Sequence, residues 1–524
     1  MMNLYRKVGI ASLIMMASVF LSRVIGLIRE MVIAYAAGAG AAVDAYQVAF
    51  VLPEILNHML ASGFLSVTFI PIFSGYLAQG REDEGWRVLS IILVGFGFLM
   101  IGLILAAEFL AEPLVALVAP GFDRPEVMAA AIRMTRIILP AQFFFFAGGL
   151  FMAVQFARER FTVPALAPLI YNFGIILGGL FLGRRLGMEG FSWGVLAGAF
   201  AGNFALQYWG ARRAGMRLYF VADFRHPDLR RYVLLSLPLM LGLTMTFSTE
   251  FFLKFFGSYL PPGSIAGLNY GLRITFILIG FFGQAVGVAS FPFMARLIAE
   301  GKLDEMNRLL NTSLRYLSLV IPFSVLFMVL RYEVVRLLFQ RGRFDSADTA
   351  LTAHVLIFLL IGAAAFSAQT VVVRGYYAMQ NTLFPAIFST LAVAVSIPLY
   401  WIGMDRFGAG GVALAVSLSA MLQVLVLYAL WNRRSGNRGQ GRVYRFYLRI
   451  MLVSLVIGTV LEWVKRELWR VIDPATVLGS LSLSAIIGAL FLILLMGTAR
   501  LFRIQEVAEV MDRVAGKLGR IRKS

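Results

Sequence analysis

The chain is a succession of long apolar stretches separated by short polar breaks. A bilayer core of about 30 Å is crossed by a helix of roughly 20 apolar residues. Stretches of that kind lie near 8–36, 42–75, 88–111, 127–155, 163–183, 191–211, 232–257, 266–296, 315–332, 349–378, 384–402, 410–432, 447–464 and 477–499. In lipid every backbone N–H and C=O has to be satisfied within its own segment, so the pattern predicts an all-α polytopic membrane protein with 14 transmembrane helices. The composition agrees: 60% of the residues are hydrophobic and 14% charged, against about 25% charged in soluble domains. Several stretches are longer than a perpendicular helix needs, which predicts tilt or kinks at Pro53, Pro71 and Pro292. Residues 8–21 resemble a signal-peptide core behind Arg6 and Lys7, but the apolar pattern runs on to Ala37, so they are read as a retained first span.

Lys and Arg number 47 against 28 Asp and Glu, a net charge of +19. A charge of that size suggests nucleic acid until its placement is examined. Loops on the side of both termini hold about 26 Lys and Arg, and the opposite loops about 11, which predicts cytoplasmic termini in the cytoplasmic (inner) membrane. The clusters Arg212, Arg213, Arg217, Arg225, Arg230 and Arg231, then Arg433, Arg434, Arg438, Arg442 and Arg445, and Arg513, Lys517, Arg520, Arg522 and Lys523 set topology and attract anionic membrane lipids. No nucleic-acid partner is expected. The loop 331–348 carries Arg331, Arg336, Arg341 and Arg343 on the outer side, and Val334, Val335, Leu337 and Leu338 beside them predict a short amphipathic surface helix. No Cys is present, which removes thiolate metal sites and cysteine nucleophiles, and the three His (58, 226, 354) are far apart in sequence.

One ungapped offset of 221 residues aligns separate landmarks. Pro71 falls on Pro292, Gly80 on Gly301, Pro164 and Ala165 on Pro385 and Ala386, Gly187 and Gly190 on Gly408 and Gly411, and Arg212 and Arg213 on Arg433 and Arg434. The unit contains six spans, so both copies share one orientation. Parallel repeats of this kind predict two pseudo-symmetric lobes, 1–221 and 222–434, with a cavity between them, and residues 435–524 add two extra helices and a basic tail. Alternate opening of two lobes suits a transporter rather than an enzyme.

Charges inside apolar spans are costly, about 2.5–3.5 kcal/mol or more at the bilayer centre, and so mark function. The first span carries Arg23, Arg29 and Glu30. Positions seven apart share a helix face, giving Ser22 with Arg29 and Arg23 with Glu30. Arg23 lies roughly 22 Å beyond Val8, too deep to snorkel back. Glu30 balances one arginine and leaves an excess of positive charge for an anionic ligand. Asp44 opens the second span as a candidate helix cap. Arg273 has no acidic residue within ten positions and is expected to face the cavity. Glu250 and Lys254, one turn apart, form either a self-contained ion pair or a site where Glu250 couples an ion. Arginine forks bind two phosphate oxygens at once, so Arg23, Arg29 and Arg273 imply a phosphorylated head group. A drug exporter for cations would carry acids instead, and a polyprenyl-phosphate enzyme would show clustered carboxylates.

The segments SRVIGLIREMVIAYAAGAGAAVDAYQVAFVLPEIL (22–56), GFLSVTFIPIF (63–73), LVAPGF (117–122), ILPAQFFFFAGGLFMAVQFARERFTVPALAPLIYN (138–172), LNYGLRI (268–274) and RGRFDSADTALTA (341–353) resemble the MurJ/MviN lipid II flippases, members of the multidrug/oligosaccharidyl-lipid/polysaccharide exporter superfamily. The resemblance implies flipping of the undecaprenyl-pyrophosphate-linked peptidoglycan precursor to the outer leaflet, in cell wall biogenesis beside cell-wall synthesis proteins. The alternatives are another polyprenyl-pyrophosphate-linked saccharide or a drug. It assigns the cavity to Arg23, Arg29, Glu30, Asp44 and Arg273, with Ser22, Pro168 and Asn172 on motif positions nearby, and a lipid-tail groove to spans 13 and 14. It implies no cofactor, with sodium, protons or the membrane potential as driving force. The family's basic pair and following acid in the second span are replaced here by Asn57, His58 and Ser62. Span 11 (TLAVAVSIPLYW) is poor in the polar residues of the family's sodium site.

Overall fold

A computed structural model describes residues 2–60, 68–221, 223–242 and 244–501, and the described residues form helices and turns without strands. Ser62 and the basic cluster 513–523 lie outside the described residues. Nine helices are long and apolar enough to cross a membrane, or ten if the bent pair Ser346–Ile361 and Ala363–Ala378 is one span. The fourteen expected spans differ from that count because several are not single straight helices. The second is built of Ala41–Ala49, Val51–Leu60 and Ile70–Ala78. The sixth is Met188–Gly198 and Leu206–Arg213 joined by a π-helical stretch, Ala199–Ala205. Leu383–Ser435 covers the eleventh and twelfth across a sharp break at Gly408.

The prolines act unequally. A break at Phe50 precedes Pro53, and Pro71 sits in the first turn of Ile70–Ala78, where a missing N–H costs nothing. Pro292 lies within the continuous helix Ala285–Ala299. No kink breaks the helix there; membrane helices accept an internal proline when neighbouring groups take up the freed carbonyl.

By contact the chain divides into two compact units: Met1–Ala266 with Arg341–Phe344, and Gly267–Gln340 with Asp345–Ser524. Residues 222–266 therefore group with the first unit. Within it the first helix, Met2–Ala37, packs along Thr162–Leu186, which packs against Met188–Gly198. Within the second, Gln440–Leu468 and Val477–Leu501 close an apolar cluster around Ile457, Leu461, Ile487 and Phe491 with Leu319, Val329 and Leu330. The amphipathic helix expected after span 9 is Arg331–Phe339, with Val335 and Phe339 buried. Large apolar side chains left exposed, such as Phe20, Leu105, Phe181 and Leu455, present the surface that lipid rather than water covers.

The 221-residue offset reappears in the backbone. Positive φ occurs at Gly80 and Gly301 (71° and 72°), Glu159 and Gln380 (57° and 56°), Gly187 and Gly408 (58° and 56°), and Gly215 and Gly436 (94° and 63°). Gly187 and Gly408 both have ψ of −133°, a region open essentially to glycine alone. The two copies thus turn between their fifth and sixth spans by the same backbone device.

Candidate functional site

Arg29 anchors the polar interior of the first unit. Its Nη2 donates to Glu30 Oε1 at 2.7 Å and its Nη1 to Asn172 Oδ1 at 3.0 Å. Asn172 Nδ2 in turn donates to the Pro168 carbonyl at 2.9 Å, one turn back on Thr162–Leu186. That bond fixes the amide so that its oxygen faces the guanidinium. Four of the expected residues are thereby brought together, and Glu30 is 3% exposed. Tyr46 and Tyr171 stand within electrostatic reach of Arg29. The helix that offers Asn172 is held by close backbone packing: a Cβ on Gly174 would lie 2.5 Å from Gly198 Cα, and one on Gly178 2.5 Å from Gly194 Cα. Small residues four apart allow that approach in a membrane. Ser22 is half-buried and Arg23 exposed on the same first helix.

Asp44 is buried and caps a helix, but not its own. Its own helix begins after Gly40, without a side-chain cap. Its Oδ2 accepts Gly263 N–H at 2.5 Å and its Oδ1 accepts Ala266 N–H at 2.7 Å, at the start of Ser264–Ile279. A carboxylate there answers both the open N–H groups and the helix dipole. Gly263 (φ 93°) is required by contact as well, since a Cβ would fall 2.0 Å from Ala39 O. Nearby, Arg343 N–H donates to Tyr35 O at 2.9 Å. The small-residue run before Asp44, the segment ahead of LNYGLRI and the start of RGRFDSAD thus meet in one place.

Glu250 and Lys254 are not a self-contained pair. Lys254 Nζ lies 3.7 Å from Glu250 Oε2 and 3.5 Å from Glu54 Oε2, on Val51–Leu60. Asn57 and His58 are half-buried on that same helix. Sequence spacing shows the i, i+4 partner and is blind to Glu54, 200 residues away.

Arg273 belongs to the second unit and is half-buried on Ser264–Ile279. Two features there escaped the sequence reading. Arg374, flagged only by an arginine in VVVRGYYA, donates from Nη2 to Gln284 Oε1 at 3.3 Å. Lys465 and Glu333, both with side chains 0% exposed, lie 3.9 Å apart; Lys465 also donates to the Val329 carbonyl and lies 3.4 Å from Glu462. The only sequence signal was Glu462 three residues before Lys465.

Helical spans with charged and amide groups sealed inside them define a polytopic membrane protein of the transporter class. The family described as lipid II flippase MurJ matches residues 33–481, and the chain belongs to that family. A probable lipid II flippase MurJ of Rhizobium meliloti (strain 1021) is 27% identical over 463 residues, covering 84% of each chain. A solved structure described as lipid II flippase MurJ in an inward closed conformation matches with a TM-score of 0.74 at 23% identity, covering 94% of this chain and 99% of that one. A multidrug resistance MATE family transporter of the MOP superfamily, inward-facing, matches at 0.65 and 14% identity over 81% and 95%. At these identities the two solved structures speak to fold alone.

Proposed function

We propose that the chain carries lipid II, the undecaprenyl-pyrophosphate-linked peptidoglycan precursor, from the inner to the outer leaflet of the cytoplasmic membrane. It acts as a transporter by alternating access and makes or breaks no covalent bond. Both termini lie in the cytoplasm, where the basic clusters meet anionic lipids, and cell-wall synthesis proteins use the product. Membership of a flippase family supports the reading, and one observation carries it: Arg29, inside an apolar span, spends two of its five donors on Glu30 and Asn172. Its fork is held in place and its remaining donors are turned to the pyrophosphate, with Arg23 and Arg273 as the other two cations. Ser22, Asn57 and His58 complete the polar lining, Asp44 holds the start of Arg273's helix, and Pro168 and Asn172 orient Arg29.

No cofactor takes part, and the driving force is the membrane potential, protons or sodium. Moving a charge through the potential supplies about 2.3 kcal/mol per 100 mV. The test is depletion with a leaflet assay in cells lacking any other flippase: lipid II accumulates on the inner side. Replacement of Arg23, Arg29 or Arg273 by Ala abolishes complementation while membrane insertion persists. Normal flipping after depletion overturns the reading, and full activity in all three variants overturns the arginine assignment.

A further inference from the structure

Lys254 faces two carboxylates supplied by two different helices. Its side chain is 4% exposed, whereas those of Glu54 and Glu250 are 32% and 24% exposed. One carboxylate is enough to neutralise one ammonium. The second leaves the trio at −1, which gives no purchase to a pyrophosphate and makes Lys254 a poor candidate for the substrate cation lost with the family's basic pair. The N···O separations of 3.5 and 3.7 Å exceed the 2.7–2.9 Å of a direct charge-assisted hydrogen bond. The ammonium therefore bridges the acids instead of belonging to either.

Carboxylate oxygens converging from two elements are the donor set that hard cations take. Here that set is already filled, by a cation attached to the chain. The repeat sharpens the point. Residues 221 positions away from Glu54, Glu250 and Lys254 are Thr275, Arg29 and Ile33, so the trio has no counterpart in the other copy and is an addition rather than an inherited packing pair. His58 is one turn along the helix from Glu54, and Tyr171 lies within electrostatic reach of both Glu54 and Arg29. The trio thus borders the arginine site.

We propose that Lys254 is a tethered cation occupying, between Glu54 and Glu250, the seat that a free sodium ion would otherwise take. Sodium is thereby excluded at this place, and Glu250 couples no free sodium ion. The inference concerns sodium binding and stands whatever the transported lipid is.

The test is thermal unfolding of the purified full-length protein in sodium chloride against choline chloride at equal ionic strength, with radioactive sodium binding alongside. Any ion that binds only the folded state raises the unfolding temperature. The wild type shows no sodium-specific rise and no saturable sodium binding that depends on Glu54. Lys254→Met gains both, and Lys254→Met/Glu54→Gln loses them again. Lys254→Gln serves in the same role where the methionine variant fails to fold. A sodium-specific rise in the wild type that Glu54→Gln removes, or none in either lysine variant, overturns the proposal. Because flipping is not the readout, a wrong substrate assignment leaves these outcomes unchanged.

Discussion

The two repeats share their turns and differ in what holds their helices together. In the first copy Gly148 lies so close to the next span that a Cβ would fall 1.7 Å from Asn203 O. Gly148 and Gly202 correspond, 221 residues on, to Gln369 and Gln423, whose side chains hydrogen-bond at 3.0 Å. Gly174, Gly178, Gly194 and Gly198, which bring two backbones together in the first copy, correspond to Val395, Leu399, Ala415 and Ser419. Asn172, which orients Arg29, corresponds to Val393, and Arg29 itself to Glu250. One copy is close-packed and holds an ionic site; the other is spaced by side chains and bridged by amides. A duplicated scaffold keeps its punctuation, Gly187 and Gly408 above all, while its interior is free to specialise.

The largest expected effect tests the ionic site. Arg29→Leu leaves the Glu30 carboxylate buried without its guanidinium, which costs about 3–5 kcal/mol in denaturant unfolding of the purified protein, and it abolishes complementation. Arg29→Leu/Glu30→Leu restores most of the stability but none of the complementation. Equal stability losses in the single and double variants would break the ionic half of the contrast.

Gly148→Ala is next, at about 1–3 kcal/mol from overpacking against a backbone carbonyl. Its counterpart Gln369→Ala removes one interhelical hydrogen bond of the kind that averages about 0.6 kcal/mol in membranes. Unfolding midpoints of the two variants side by side measure the difference; a cost for Gln369→Ala as large as that for Gly148→Ala would erase the distinction between close-packed and amide-bridged copies.

Much of the scaffold was legible in the sequence because its determinants are local. Apolar runs give helices, and Pro71 with Pro292, or Gly187 with Gly408, mark the repeat by backbone demands that survive divergence. The burial of Glu30 beside Arg29 was readable for the same reason, since the two are neighbours in one span. The rest depends on partners far along the chain. Asp44 looked like a cap for the helix that contains it, yet its N–H donors lie 219 and 222 residues away. Lys465 and Glu333 are 132 residues apart, and neither shows by periodicity which buried face it will meet. Spacing identifies faces, and only packing identifies what those faces touch. The count of continuous spans also eluded the sequence, because hydropathy does not register a π-helical stretch such as Ala199–Ala205 or a break such as Phe50.

The long reach of Asp44 also has a bearing on the time the chain takes to be made. Its carboxylate enters the bilayer with the second span, but Gly263 and Ala266 follow 219 and 222 residues later. At about 5–20 residues per second the ribosome needs roughly ten to forty-five seconds to supply them. For that interval the acid has to be met by water, a proton or the insertion machinery. The first repeat is thus finished in sequence well before it is finished in structure, and release of Asp44 from its temporary partner marks the arrival of the eighth span.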